Sequence, residues 1–303
     1  MKLAFIGFGE AAQAMALGFK GEKSLDKLSA YDIRIEDPAH AAALKTKAAE
    51  LDVFLAPSVA EAVAGAPVVL SMVQGSASVK VAESVAPHLS PEQIFIDLNS
   101  IGPDAKRRVA AAIADGGPGA CVEGAIMDAV RPKNHKVPIL LAGPRADEAA
   151  ATLNGVGMKC EAIGDRIGQA CSVKMIRSVM MKGVEALILE SMRAAETAGV
   201  TERILDSVNV TFEGLDWRKL TSHYLKRTHE HGARRVSEMK ESAATLRSFG
   251  LEPRMSLAIA ETIAGGHARL SSTPYDAAAQ YPELLKILTT PQAGSQSNKL
   301  QEK

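Results

Sequence analysis

A six-residue turn near the start of the chain limits the fold more than any other feature. Gly7-Phe8-Gly9-Glu10-Ala11-Ala12 reads G-x-G-x-x-A, follows the apolar run Leu3–Gly7 and opens the helical pattern Glu10–Lys20. In such a turn the first glycine permits the bend and the second lets backbone approach a pyrophosphate. A small third residue lets helix and strand pack closely. The helix N-terminus adds unpaired N–H groups and the positive end of a dipole, which suit phosphate. Glycine turns alone are common. Here, however, Asp32 ends the second strand candidate, where a carboxylate would reach a ribose diol. Strand, turn, helix, strand and acid in register predict a dinucleotide site made by Gly7, Phe8, Gly9, Glu10, Ala11, Ala12 and Asp32. An acid at position 32 would repel a 2′-phosphate, which favours NAD. Arg34 is placed to reach such a phosphate, so NADP stays open; the plain alternative for Asp32 is a strand-end turn residue.

The rest of the first half repeats the same alternation. Strand candidates are Leu3–Gly7, Leu28–Ile33, Val53–Leu55, Val68–Met72, Ile94–Leu98, Cys121–Ile126 and Val137–Ala142. Helical patterns fall at Glu10–Lys20, Pro38–Glu50, Val59–Val63, Ala77–Pro87 and Ala105–Ala114. This spacing means βαβ units and a Rossmann-type doubly wound, mainly parallel sheet. Beyond Gly164 the strands stop. A long helical pattern, Ile167–Ala198, is followed by others at Thr201–Val210, Asp216–Phe249 and Arg254–Gly265, with turns or helix ends expected at Arg227–Gly232 and Gly265–His267. The expected organisation is therefore a dinucleotide-binding domain over 1–164, an interdomain helix over 165–198, an all-helical substrate and dimerisation domain over 199–290, and a disordered tail over 291–303.

Charge and cysteine content narrow the function. Lys plus Arg and Asp plus Glu both number 35, and such balance lacks the basic stripe a nucleic-acid binder needs. Cys121, Cys160 and Cys171 are scattered without C-x-x-C spacing, which argues against a disulfide framework or zinc site and suits a reducing cytosol. The apolar opening breaks at Gly7, Gly9 and Glu10, unlike a signal peptide, and no stretch reaches the ~18 apolar residues of a membrane span. A cytoplasmic protein without membrane or nucleic-acid partners is expected. His229-Glu230-His231 suggests metal, but positions two apart on a helix point about 200° apart. No metal site is expected. His223, His229 and His231 are read as surface or interface residues, and Trp217 as packing.

Three segments together resemble the β-hydroxyacid dehydrogenases, the group related to 3-hydroxyisobutyrate and 6-phosphogluconate dehydrogenases. Ile6 through Ala16 resembles the family's G-x-G-x-M-G-x-x-M-A start, with Ala11 in place of Met and Ala12 in place of the last Gly. Asp97-Leu98-Asn99-Ser100-Ile101-Gly102-Pro103 resembles the substrate segment D-x-S-T-x-x-P, and Gly168 through Lys174 the catalytic G-x-x-x-x-x-K helix start. The resemblance reaches to about residue 290. It implies a Rossmann domain, a long interdomain helix, a homodimer or higher homo-oligomer, and Met72 and Val73 lining the nicotinamide side. It also departs in three places. Ser178 stands where the family has Asn, and Glu123-Gly124-Ala125-Ile126-Met127-Asp128-Ala129 stands for the D-A-P-V-S-G-G substrate turn. Ser237-Glu238 replaces a Lys-Asp pair.

Chemistry then follows from residue types. Oxidising an alcohol needs a base for the hydroxyl proton, and the resemblance gives that role to Lys174. A lysine serves near neutrality only when desolvated or beside another cation. Lys182 lies on the same polar row as Lys174 and Ser178, four residues apart each; its other candidate partner is Glu185. The bland reading of either lysine is a solvated helix face. Asn99 and Ser100 end the fifth strand at the edge where open α/β sheets bind ligands, although Ser100 also suits an N-cap. Gly124, Ala125 and Ile126 represent the substrate turn, and Arg131 is favoured over Lys133 and Lys136 for holding a carboxylate or phosphate. Glu238 is a cofactor- or substrate-side candidate. The expected activity is hydride transfer between NAD(P) and a small 3-hydroxy acid or related hydroxyl compound. An imine or ketone reductase, or a nucleotide sensor without turnover, are the alternatives.

Overall fold

The computed structural model describes residues 1–22 and 24–290; the expected tail, 291–303, lies outside the described residues. Eight strands make one sheet in the order 3-2-1-4-5-6-7-8. They are β1 (Lys2–Ile6), β2 (Lys27–Tyr31), β3 (Val53–Leu55), β4 (Val68–Ser71), β5 (Ile94–Asp97), β6 (Ala120–Ile126), β7 (Pro138–Ala142) and β8 (Lys159–Ala162). Every neighbouring pair is parallel except β6 with β7. The order reverses between β1 and β4, and the carboxyl ends of these two strands open the crevice where such sheets take ligands.

Both faces of the sheet are apolar, so its strands read as continuous rather than alternating runs. Leu3 and Phe5 point to one face, where α1 (Glu10–Phe19), α2 (Pro38–Glu50) and α7 (Ala146–Asn154) supply Met15, Leu44 and Leu153. Ala4 and Ile6 point to the other, closed by α3 (Val59–Val63), α4 (Ser78–Val85) and α5 (Pro103–Gly116) with Val63, Val85 and Ile113. A single turn, α6 (Val130–Lys133), links β6 to the segment before β7. The expected Rossmann-type sheet is present, with β8 and α7 added to it.

After β8 comes α8 (Gln169–Thr197), then α9 (Thr201–Thr211), α10 (Trp217–Ser248), α11 (Arg254–Leu270) and α12 (Tyr281–Thr289). The chain divides into two compact units, Met1–Met175 and one beginning at Ile176, so the division falls inside α8. The second unit is held by Leu189, Met192, Leu205, Leu225, Leu270, Leu285 and Leu288. Neither suspected break in its long helices occurs. A Cβ on Gly232 would stand 2.4 Å from His267 Cβ, and one on Gly266 would stand 2.3 Å from Leu189 Cδ2. These glycines permit close helix contact instead of ending helices.

Candidate active site

The turn after β1 is held from three sides. Gly7 has φ +90°, and a Cβ there would meet the Met72 carbonyl oxygen at 2.3 Å. Its N–H donates to Tyr31 O at 2.8 Å, the Phe8 N–H donates to Asp32 Oδ2 at 2.8 Å, and Gln13 Nε2 donates to Phe8 O at 2.8 Å. Gly9 caps α1 without a side chain, and nothing lies within 4 Å of where its Cβ would be. Backbone at Gly9, Glu10 and Ala11 is thus open to a pyrophosphate, while buried Ala12 seats helix on strand. The turn fits a dinucleotide. Gly7→Ala is expected to weaken NADH binding at least about tenfold, because the added methyl must push the β4 end aside; a titration by cofactor fluorescence reads this.

Asp32 ends β2 as a buried carboxylate whose partners all come from the chain. Oδ1 accepts from the Arg34 N–H and from Arg34 Nε, both at 3.0 Å, and Oδ2 accepts from Arg34 Nη2 at 3.0 Å besides Phe8. Burial works to raise its pKa; the guanidinium and the two amides outweigh it and bring the pKa below the ordinary value.

A second fastener joins β4 to β5. Asn99 is buried; its Oδ1 accepts from the Val73 N–H at 2.6 Å, and its Nδ2 donates to Ser71 Oγ at 3.2 Å and to Asp97 Oδ1. Met72 and Val73 therefore leave the sheet edge in a fixed course beside Gly7. Beneath them lies an ion pair that sequence reading missed: Lys106 Nζ meets Asp97 Oδ2 at 3.1 Å and donates to Asp97 O at 2.6 Å and Gly124 O at 3.2 Å. Ser100 is exposed, and the N-cap of α5 is Gly102, so Ser100 does not cap that helix.

The segment read as a substrate turn is different from that expectation. Gly124, Ala125 and Ile126 are the last residues of β6, paired antiparallel with Leu141, Leu140 and Ile139. A Cβ on Gly124 would lie 2.4 Å from Leu98 Cδ2, so this glycine serves packing. The bend comes later, and Arg131 sits exposed in α6. Glu123, also missed, is buried, and its Oε1 accepts from the N–H groups of Gly168 at 2.8 Å and Ala170 at 2.7 Å. That carboxylate anchors the start of α8, where backbone donors lack helical partners. Lys174, half-buried, stands in the second turn of this helix.

Within the second unit, Ser178, Lys182 and Glu238 come together. Lys182 Nζ donates to Ser178 Oγ at 3.2 Å and meets Glu238 Oε2 at 2.9 Å. Burial lowers the Lys182 pKa, and Glu238 offsets part of that. For Glu238, burial works upward, but Lys182 with Arg234 and Arg235 carries the pKa below its ordinary value. Glu185 is not the partner of Lys182. It is wholly buried and bound instead to Arg235 and to Thr228 Oγ1 at 2.7 Å. His229, expected at a surface or an interface, is buried within the unit against Tyr275 with its Nε2 3.2 Å from Thr273 O. Among the described residues no three His, Cys, Asp or Glu side chains are grouped to hold a metal ion, and no helix is long and apolar enough to cross a membrane.

Residues 2–129 match the NAD binding domain of 6-phosphogluconate dehydrogenase, and residues 195–265 match a domain of unknown function, DUF1932. A conserved hypothetical protein from Sinorhizobium meliloti 1021 has 55% identity and a TM-score of 0.84, covering 95% of this chain and 96% of that one. A conserved protein of unknown function, described as structurally similar to 3-hydroxyacid dehydrogenases, has 29% identity and a TM-score of 0.73 over 88% and 98% of the two chains. An uncharacterised 28.5 kDa protein of Methanothermus fervidus is 26% identical over 84% of this chain and 94% of its own length. At the level of fold alone, 3-hydroxyisobutyrate dehydrogenase of Mycobacterium tuberculosis (19% identity, 95% and 99% covered, TM-score 0.74) and an imine reductase of Bacillus cereus (17%, 96% and 99%, 0.59) are also similar. With its nucleotide turn, β4 and β5 edge and helical second unit, the chain carries an NAD binding domain of the 6-phosphogluconate dehydrogenase type and belongs to one family with the conserved protein of Sinorhizobium meliloti.

Proposed function

We propose that the chain is an NAD(P)-dependent dehydrogenase of a small 3-hydroxy acid or related hydroxyl compound, acting in the cytoplasm as a homodimer. The observation that carries this reading is the sheet's carboxyl edge, where the open Gly9 backbone, the Gly7–Met72 approach and the Asn99–Val73 tie converge. Gly7 through Ala12 would hold the pyrophosphate, Asp32 and Arg34 the adenosine ribose, and Met72 and Val73 the nicotinamide side. A bound nicotinamide supplies the hydride acceptor. Lys174 takes the hydroxyl proton, and in the reverse direction returns it. Ser178, whose Oγ accepts a hydrogen bond from Lys182, would donate its hydroxyl proton to the substrate oxygen. Asn99, Ser100 and Arg131 are the further substrate-side candidates of the first unit, and Glu238 is a candidate of the second. Ile176, Met180 and Leu187 leave apolar surface exposed on α8, consistent with a second copy covering it.

The test is reduction of NAD+ and NADP+ over a panel of 2- and 3-hydroxy acids, sugar acids and their phosphates, with Lys174→Ala alongside. A lysine-dependent signal is expected with at least one 3-hydroxy compound. Turnover of imines or ketones only would support the reductase, and NADH binding without any turnover would support a sensor.

The Lys182–Glu238 pair gives a separate expectation for stability. Glu238 has a lowered pKa in the folded chain, so its contribution is present above its ordinary titration range and is lost as pH falls through the folded value. Glu238→Gln is expected to cost about 1–3 kcal/mol at pH 7. The difference from the parent protein should close on acidification, as urea denaturation between neutral and acidic pH would read.

A further inference from the structure

The ribose subsite bears on which dinucleotide the chain takes, and this step rests on the dinucleotide reading of the turn above. An acid at the end of β2 selects NAD when its carboxylate is open to the ribose hydroxyls. A carboxylate has about four lone-pair sites, and at Asp32 four N–H donors already point at them: Phe8 N, Arg34 N, Arg34 Nε and Arg34 Nη2. The Asp32 side chain is 8% exposed and that of Arg34 is 47% exposed. An incoming ribose therefore meets a guanidinium lying over the carboxylate. The pair is neutral in sum, so the repulsion of a 2′-phosphate expected of Asp32 alone is cancelled. Glu36, the other acid of this segment, is engaged by the Tyr31 hydroxyl at 2.8 Å.

Opening the pair is offset by what replaces it. The ribose hydroxyls take the place of the two guanidinium donors, and Asp32 keeps its bonds from the Phe8 and Arg34 amides when the guanidinium turns away. We propose that Asp32 and Arg34 form a two-way ribose subsite that takes NAD(H) and NADP(H) with similar affinity. With NADP(H), Arg34 binds the 2′-phosphate as a planar, charge-assisted donor. With NAD(H), it swings out and releases Asp32 to the 2′-hydroxyl. Asp32 is thus the determinant for one cofactor and Arg34 for the other.

Fluorescence titration of the full chain with NADH and with NADPH at one ionic strength tests this without any substrate. The two dissociation constants are expected within about tenfold of each other. Arg34→Gln, at an exposed side chain that should not disturb folding, is expected to weaken NADPH by about tenfold or more and NADH by less than about threefold. Asp32→Asn should do the reverse. A preference beyond about tenfold for either cofactor in the parent protein, or an equal loss of both in Arg34→Gln, would overturn the two-way subsite while leaving the dinucleotide site standing. Failure of both cofactors to bind would overturn the dinucleotide reading and this inference with it.

Discussion

Lys174→Ala is expected to lower kcat by about 100- to 10,000-fold, the range in which a positioned acid–base group contributes. NADH affinity should change by less than about threefold, because the hydrogen bonds that hold the nucleotide turn come from Tyr31, Asp32 and Gln13. The split between kcat and binding separates a proton-transfer role from a packing role. Lysine at this place is held by its helix, and the helix start is held by Glu123 through the Gly168 and Ala170 amides. Lys174→Arg keeps the charge but not a titratable amine, and should be nearly as slow as alanine. Activity within about tenfold of the parent in Lys174→Ala would remove the base assignment.

Legibility in the sequence followed the range of the interactions. The nucleotide turn was readable because glycine spacing, strand and helix lie within a dozen residues and each demands the next. Helices α2 and α3 stand where the periodicity placed them. The strand β8 was not readable: Lys159-Cys160-Glu161-Ala162 is short, alternates exposed and buried residues, and borders the sheet. The start of α12 carried an unused signal, the capping box of Gln280 and Glu283. In the site, Asp32 and Asn99 were found by position, but their partners were not. Which groups fill a carboxylate depends on Arg34 folding back and on Phe8 arriving from the turn after β1. The exchange of Glu185 for Glu238 as the partner of Lys182 has the same origin. Spacing of three on one helix allows a contact, but Arg235 and Thr228 on α10 claim Glu185 first.

Lys106→Met is expected to destabilise the chain by about 3–5 kcal/mol, more than Glu238→Gln does. The Lys106 side chain is 1% exposed and so is that of Asp97. Removing the ammonium leaves the Asp97 carboxylate in the core without its counter-charge, and also strips donors from the carbonyls of Asp97 and Gly124. The loss does not stay local. Asp97 accepts from both nitrogens of Asn99, and Asn99 in turn holds the Val73 amide, so the β4 edge should loosen and NADH affinity should fall with stability. Lys106→Met combined with Asp97→Asn removes both charges, and should recover part of the stability because no unpaired ion remains. Urea denaturation of the parent, the single and the double variant reads this ordering. A single variant within about 1 kcal/mol of the parent would mean that the buried pair is not what holds β5 to α5. A double variant worse than the single one would mean that the polar contacts, and not the unpaired charge, carry the effect. The expected order puts the charge first, because a buried carboxylate stripped of its counter-charge costs more than a neutral carbonyl stripped of one donor.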